Sequence, residues 1–181
     1  NMVSATPSGG WTWSSPIIEG LGFPLNTRGQ MFSLHLGHPN CIAPRKRPRT
    51  TLSPTLVTRG DRPLMAFGTP GGDQQDQWTL QFFLNHMEFQ MNLQAAIDAP
   101  TFHTSHLISS FYPRDAHLGR LHVENRIPVR TVRELKRRGH RVVVEDGWSN
   151  GRVTAVQYDW RTKVMSAAAS SRYQTPYALG F

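Results

Sequence analysis

The sequence predicts one α+β domain over residues 1–181, with sheets stacked under helical cover. Three observations lead there. Short extended runs fall early and late in the chain, two helical patterns occupy the middle, and no repeat or low-complexity linker divides them. With 181 residues of which 38% are hydrophobic, the chain is long and apolar enough for one sizeable core.

Residues 1–6 alternate as a strand already in progress, and residues 22–26 read as a short strand beside a loop. Residues 53–59 and 62–67 read as an antiparallel hairpin about the turn Arg59-Gly60-Asp61. The longest helix follows. Leu80, Phe83, Leu84, Met87 and Met91 recur at i, i+3, i+4, i+7 and i+11, one apolar stripe that Trp78, Phe82 and Phe89 widen. Such a helix is expected to be covered on two sides. A second helical piece, residues 93–99, stops at Pro100, and residues 101–104 resume extended structure. Residues 120–124, 141–145, 153–159 and 164–170 complete the strands. Between the first two of these, Val129, Val132 and Leu135 mark a helix, with Thr131 and Glu134 as a capping box and Gly139 as its stop.

The formal charge of +8 raises nucleic acid as a partner, but the pattern opposes it. The run Arg45-Lys46-Arg47-Pro48-Arg49 lacks the interleaved aromatics on which bases stack, and the basic residues 133–141 fit the solvated face of the Val129 helix. No apolar run approaches the roughly 18 residues that span a bilayer. The single cysteine, Cys41, excludes an internal disulfide and sits in HPNCIAPRKRP without an activating neighbour. The pairs His35/His38 and His103/His106 have no carboxylate at metal-ligand spacing, and GxGxxG, P-loop and GxSxG patterns are absent. No metal or nucleotide cofactor is implied.

The stretch FGTPGGD, residues 67–73, joins an apolar strand to the long helix. Two adjacent glycines permit backbone conformations closed to other residues and let a ligand approach without a Cβ in the way. Neighbouring N–H groups near a helix N-terminus can hold a developing negative charge, which is an oxyanion hole in outline. A plain tight turn is the alternative.

The wider order of motifs narrows the choice. PRKRPRTTLSPT at residues 44–55, a hairpin, GTPGG at 68–72, a helix, and NLQAAIDAPTFH at 92–103 resemble the small subunit of the gamma-glutamyltranspeptidases. That family shows KRPxSSMSPT, GSPGG and MNxxEAxxAPRFH in this order. The resemblance runs from Asn1, similar to the GN of the family's DxxGN strand, to AAASSR at 167–172, similar to its GxSDPR end.

The resemblance implies an N-terminal-nucleophile hydrolase with an αββα sandwich, made as a precursor that cuts itself into large and small subunits. The freed N-terminal threonine would then serve as nucleophile and, through its own amine, as base, forming an acyl-enzyme that water or an acceptor amine resolves. Asn1 is no nucleophile. By the family's spacing its TxH start lies roughly a dozen residues upstream, so the chain is expected to begin inside a longer protein and to be inactive alone.

Carried over by position, Gly71 and Gly72 are the oxyanion donors, and Thr50 and Thr51 replace the tandem serines that hold the γ-glutamyl carboxylate. Ser8 replaces the threonine that supports the nucleophile. Serine and threonine are also common in turns, so a bland role stays open for these hydroxyls. The amine side does not carry over. In LNTRGQMF, residues 25–32, Arg28 stands for a Glu or Gln and Met31 for the key Asp, while Gly10 stands for an asparagine. The complement to an ammonium ion is lost. The pocket is therefore expected to prefer an acidic acyl group without an α-amino function, glutaryl-like, whose distal carboxylate Arg28 pairs; an Arg28 directed to water is the alternative.

Two classes of function follow from the resemblance. One is an autoprocessed amide hydrolase or acyltransferase acting on gamma-glutamyl or related acidic acyl amides, with hydrolysis ranked above transfer. The other is a non-catalytic binding or assembly fragment of that fold. The implied partners are the large subunit of the same precursor and a small acyl amide. Periplasmic, secreted and cytoplasmic settings stay open, because any targeting segment would precede the large subunit.

Overall fold

The protein is described from a computed structural model that covers residues 1–7, 15–172 and 177–179. Strands β1 (Thr55–Arg59) and β2 (Arg62–Gly68) form the expected antiparallel hairpin, with Thr55 opposite Phe67 and Arg59 opposite Arg62. On the other edge of β2 lies β6 (Thr154–Asp159), followed by β7 (Val164–Ala169), all antiparallel, in the order β1-β2-β6-β7. Alternation sends Met65, Phe67, Ala155 and Ala168 to one face, where they meet Phe82 of α1 (Gln75–Met87) and Leu93, Ala96 and Ile97 of α2 (Leu93–Asp98). The Phe67 and Phe82 rings stand edge to face at 5.0 Å. Asn92 caps α2 by accepting from the Ala95 N–H at 2.8 Å. The opposite face of this sheet carries Leu56, Val156 and Met165, which are 51%, 42% and 75% exposed.

A second sheet sets β4 (Arg120–Glu124) between antiparallel β3 (Phe102–Thr104) and parallel β5 (Arg141–Glu145). Helix α3 (Val129–Arg137) makes the crossover that a parallel pair requires. It stops at Gly139, φ 94°, in a Schellman arrangement: His140 N–H donates to Leu135 O and Gly139 N–H to Lys136 O.

A buried ionic knot joins the two sheets. Glu124, wholly buried, accepts from Arg172 at 3.0 and 3.2 Å, from Arg126 at 2.6 and 3.2 Å, and from the Thr101 and Asn150 N–H groups at 3.3 Å. Burial alone would raise its pKa; the hydrogen bonds from Arg172 and Arg126 outweigh that and hold it below the usual glutamate value. Arg172 also donates to Ile97 O and Ala99 O at 2.8 Å, which pins the chain after β7 to the end of α2.

Four expectations are corrected. Residues 1–6 form no strand: β1 and β6 already occupy both edges of β2, and Ser4 attaches the segment by its side chain, donating to Phe67 O at 2.8 Å and accepting from Thr55 N–H at 3.2 Å. Residues 22–26 contribute only the bridge between Ile17 and Pro24, since proline has no N–H to extend a ladder. The Leu80 stripe of α1 is not the buried one. Leu80, Leu84 and Met87 are 56%, 40% and 37% exposed, while Gln75, Trp78, Thr79 and Phe82 face inward, because the larger rings fill the space over β2 and β3. The helix ends at Met87, short of Met91. The Thr131–Glu134 capping box does not form: Pro128 is the N-cap, and Glu134 turns toward the C-terminus to accept two bonds from Arg137 and one from Arg138.

Candidate active site

The glycine turn lies where β2 hands over to α1. Gly71 has φ 139° and Gly72 φ 63°, and a short 3-10 turn, Gly72–Gln74, leads into the helix. Packing imposes glycine a second time. A Cβ on Gly71 would stand 2.1 Å from the Trp78 ring, and one on Gly72 would stand 3.1 Å from the Phe111 ring. Thr69 anchors the start of the turn: its hydroxyl donates to Pro70 O at 2.8 Å and accepts from Arg152 N–H at 2.9 Å.

Gln75 ties this turn to the threonine pair. It is 3% exposed, and the amide orientation that satisfies both its ends donates to Thr69 O at 3.0 Å and Thr51 O at 2.9 Å while accepting from Gly72 N–H at 3.3 Å. Thr51 is itself buried, and its hydroxyl accepts from Arg28 Nη1 at 3.4 Å. Thr50 is exposed; its hydroxyl accepts from Leu52 N–H at 3.2 Å in a local turn.

Arg28 opens the 3-10 turn Arg28–Met31, which is held from two sides. Asn40 Nδ2 donates to Met31 O at 2.7 Å, and Arg114 Nη2 donates to Phe32 O at 2.7 Å and Gln30 O at 3.3 Å. The loop that carries Arg114 is bound in turn to the glycine turn. Asp73 accepts from Ser110 N–H at 2.8 Å, from Ser109 Oγ at 3.3 Å and from Ser110 Oγ. Met31, where the resemblance would put a carboxylate, is wholly buried.

Arg28, Gly71 and Gly72 thus line one cavity of about 830 Å³, with Arg152, Leu52 and Phe111 among its other walls. Two guanidinium-bearing residues and no Asp or Glu stand among its described lining, a setting that favours an anionic ligand. Ser8 and Gly10 lie outside the described residues. Sequence reasoning missed Gln75, Asp73, Ser110, Arg114 and Arg152. For Asp73 and Gln75 the one available signal was their place just after PGG; the others come from distant segments. Of the histidines in the two i, i+3 pairs, two serve loops: His38 Nδ1 accepts from Asn40 N–H and His106 Nδ1 from Gly119 N–H, both at 3.0 Å, while His103 is buried in β3.

Comparison with known proteins places this geometry in a family. The family model described as gamma-glutamyltranspeptidase matches residues 1–179. A glutathione hydrolase-like YwrD proenzyme of Bacillus subtilis (strain 168) is 32% identical over 162 residues, covering 88% of this chain and 30% of its own length. The solved structure of LmbA2991HD shares 51% identity at a TM-score of 0.83, over 92% of this chain and 30% of that one. The crystal structure of a cephalosporin acylase from Bacillus halodurans shares 32% identity at a TM-score of 0.71, over 83% and 26% respectively. The chain thus spans under a third of these relatives. Its fold is the α+β, αββα type of the N-terminal-nucleophile hydrolases. On the match over residues 1–179 and these likenesses, the chain belongs to the gamma-glutamyltranspeptidase family.

Proposed function

We propose that this chain is the oxyanion-binding and carboxylate-binding part of an autoprocessed amide hydrolase that acts on acidic acyl amides, gamma-glutamyl or glutaryl-like. The observation that carries the reading is that Arg28, in contact with Thr51 at 3.4 Å, lines a cavity with Gly71 and Gly72 whose described walls hold no Asp or Glu, while Thr50 and Thr51 line an adjoining cavity of about 430 Å³ that also reaches Gly72. An N-terminal threonine upstream of Asn1 attacks the amide carbonyl, its own amine taking the proton, and the amine product leaves an acyl-enzyme that water hydrolyses. Gly71 and Gly72 N–H groups hold the oxyanion. The Gly72 bond to Gln75 is long, so a charge-assisted bond to the oxyanion displaces it readily. Arg28 and Thr51 hold the distal carboxylate, with Thr50 beside them. Ser8 supports the nucleophile.

The partner is the large subunit of the same precursor. The apolar face of Leu56, Val156 and Met165 is suited to the second sheet of an αββα sandwich, whose inner faces must both be covered. Two names among the relatives, a glutathione hydrolase-like proenzyme and a cephalosporin acylase, support amide hydrolysis as the reaction class.

Intact-mass analysis and N-terminal sequencing of the product of the complete reading frame test the catalytic reading. Two chains, the smaller starting with threonine, are expected. One uncleaved chain, or a small chain starting without Thr, Ser or Cys, would establish a binding fragment instead. The acyl preference is read from glutaryl and gamma-glutamyl p-nitroanilides. A kcat/KM at least about tenfold higher for glutaryl is expected from the missing ammonium partners; equal or inverted values refute the role given to Arg28.

A further inference from the structure

The second sheet holds a constellation that the proposed reaction does not use. In the register of β3, β4 and β5, His103 faces His122 and His122 faces Val143, so Ser105 and Glu145, each two residues further on, share their face as diagonal neighbours of His122. Their side chains meet. Ser105 Oγ lies 3.2 Å from His122 Nε2, and His122 Nδ1 lies 2.7 Å from Glu145 Oε1. Asn150 Nδ2 donates to the other Glu145 oxygen at 2.5 Å, which fixes the carboxylate. A carboxylate on Nδ1 selects the tautomer whose Nε2 lone pair faces the serine hydroxyl. This is the connectivity of a serine–histidine–carboxylate triad, recognised by geometry and not by chain order.

A purely structural ladder across three strands would give the same bonds, but it has no need of an accessible serine. Ser105 is half-buried and lines a cavity of about 430 Å³ whose walls include Leu107, Ile108 and Phe111 on one side and Asp73 and the Thr50–Thr51 pair on the other. This cavity adjoins the glycine turn through Gly72. His103 stacks on His122 at 4.5 Å; buried, it stays neutral at ordinary pH and so adds no charge against an imidazolium at His122.

We propose that Ser105 is a second nucleophile, with His122 as its base and Glu145 as its positioning residue, for short-chain carboxylic esters entering the 430 Å³ cavity. Ser105 Oγ bonds to the ester carbonyl carbon while its proton passes to His122 Nε2. The carbon–oxygen bond to the leaving alcohol then breaks, the alcohol taking that proton, and water releases the acid by the same steps in reverse order.

The test treats the complete processed protein with a fluorophosphonate, which phosphonylates activated serines with loss of fluoride, and locates the adduct by peptide mass spectrometry. An adduct on Ser105 is expected, absent in Ser105→Ala and formed about 100-fold more slowly in His122→Gln. Its rate should rise with pH along a single histidine ionisation and lose that dependence in His122→Gln. The titratable groups that face His122 among the described residues are His103 and Glu145, so Glu145→Gln, with circular dichroism unchanged, should move the pH midpoint without abolishing labelling. No adduct on Ser105, an adduct confined to the N-terminal nucleophile, or a rate on Ser105 indifferent to His122→Gln and Glu145→Gln overturns the proposal.

Discussion

Replacing Glu124 with alanine would leave two arginines facing an empty site between the two sheets. The carboxylate is wholly buried and Arg172 is 2% exposed, so water cannot take over the lost bonds on that side. Breaking a buried ion pair from one end costs about 3–5 kcal/mol. Arg172 keeps Ile97 O and Ala99 O at 2.8 Å, and Arg126, whose side chain is 22% exposed, keeps Asp98 O at 2.8 Å and its place over the Trp148 ring. Both facts put the expected loss near the lower limit, about 3 kcal/mol. With a urea dependence of about 2 kcal/mol per molar, the unfolding midpoint should fall by about 1.5 M. The assay is urea denaturation of the assembled protein, repeated for Arg172→Met and for the double variant. The double variant should be less destabilised than the two single changes together, by about 2 kcal/mol. A midpoint shift under about 0.5 M, or strict additivity, would show that the knot does not join the sheets as described.

Acidification should act on the same region. His103 is buried, and desolvation, aided by His122, lowers its pKa from 6.5 to about 4. Between those values the unfolded chain binds the proton that the folded chain refuses, so stability is full above about pH 6.5 and falls toward pH 4, by about 3 kcal/mol in all. Glu124, held below its usual value, adds its loss only below pH 4.5. Urea titrations from pH 7 to 4 should show this slope, and His103→Phe should flatten its upper part. Gly71→Ala meets both φ 139° and a 2.1 Å approach to Trp78, and should lower kcat by at least about 100-fold. Gly37→Ala, with φ 83° but open space, is the control and should change stability by only about 1 kcal/mol with kcat retained. Arg28→Gln should raise KM for a glutaryl anilide about 10-fold to 100-fold with little change in kcat, in line with the loss of a charged hydrogen bond; an unchanged KM would place Arg28 outside the pocket.

Local patterns were legible wherever the chain's own neighbours decide conformation. The hairpin about Gly60, the stop at Pro100, the Gly139 helix end and strands β4 and β5 were all readable from periodicity and from residues with restricted or extended φ range. The PGG turn was readable as a place where the backbone needs glycine, with a plain tight turn as the alternative role until the order of the surrounding motifs was weighed. Only the tertiary structure decided which face of α1 is buried: Leu80 and Phe82 offer rival apolar stripes, and the shape of the sheet beneath selects the one that Trp78 and Phe82 fill. It alone brought Gln75 under both Thr51 and Gly72, Arg114 onto the Arg28 turn, and Arg172 into contact with Glu124 across 48 positions. Ser105, His122 and Glu145 likewise meet only through strand register. Backbone preference acts over a few residues and is written in the local sequence, whereas burial and side-chain pairing depend on which distant segment arrives opposite, and that is settled only when the sheets assemble.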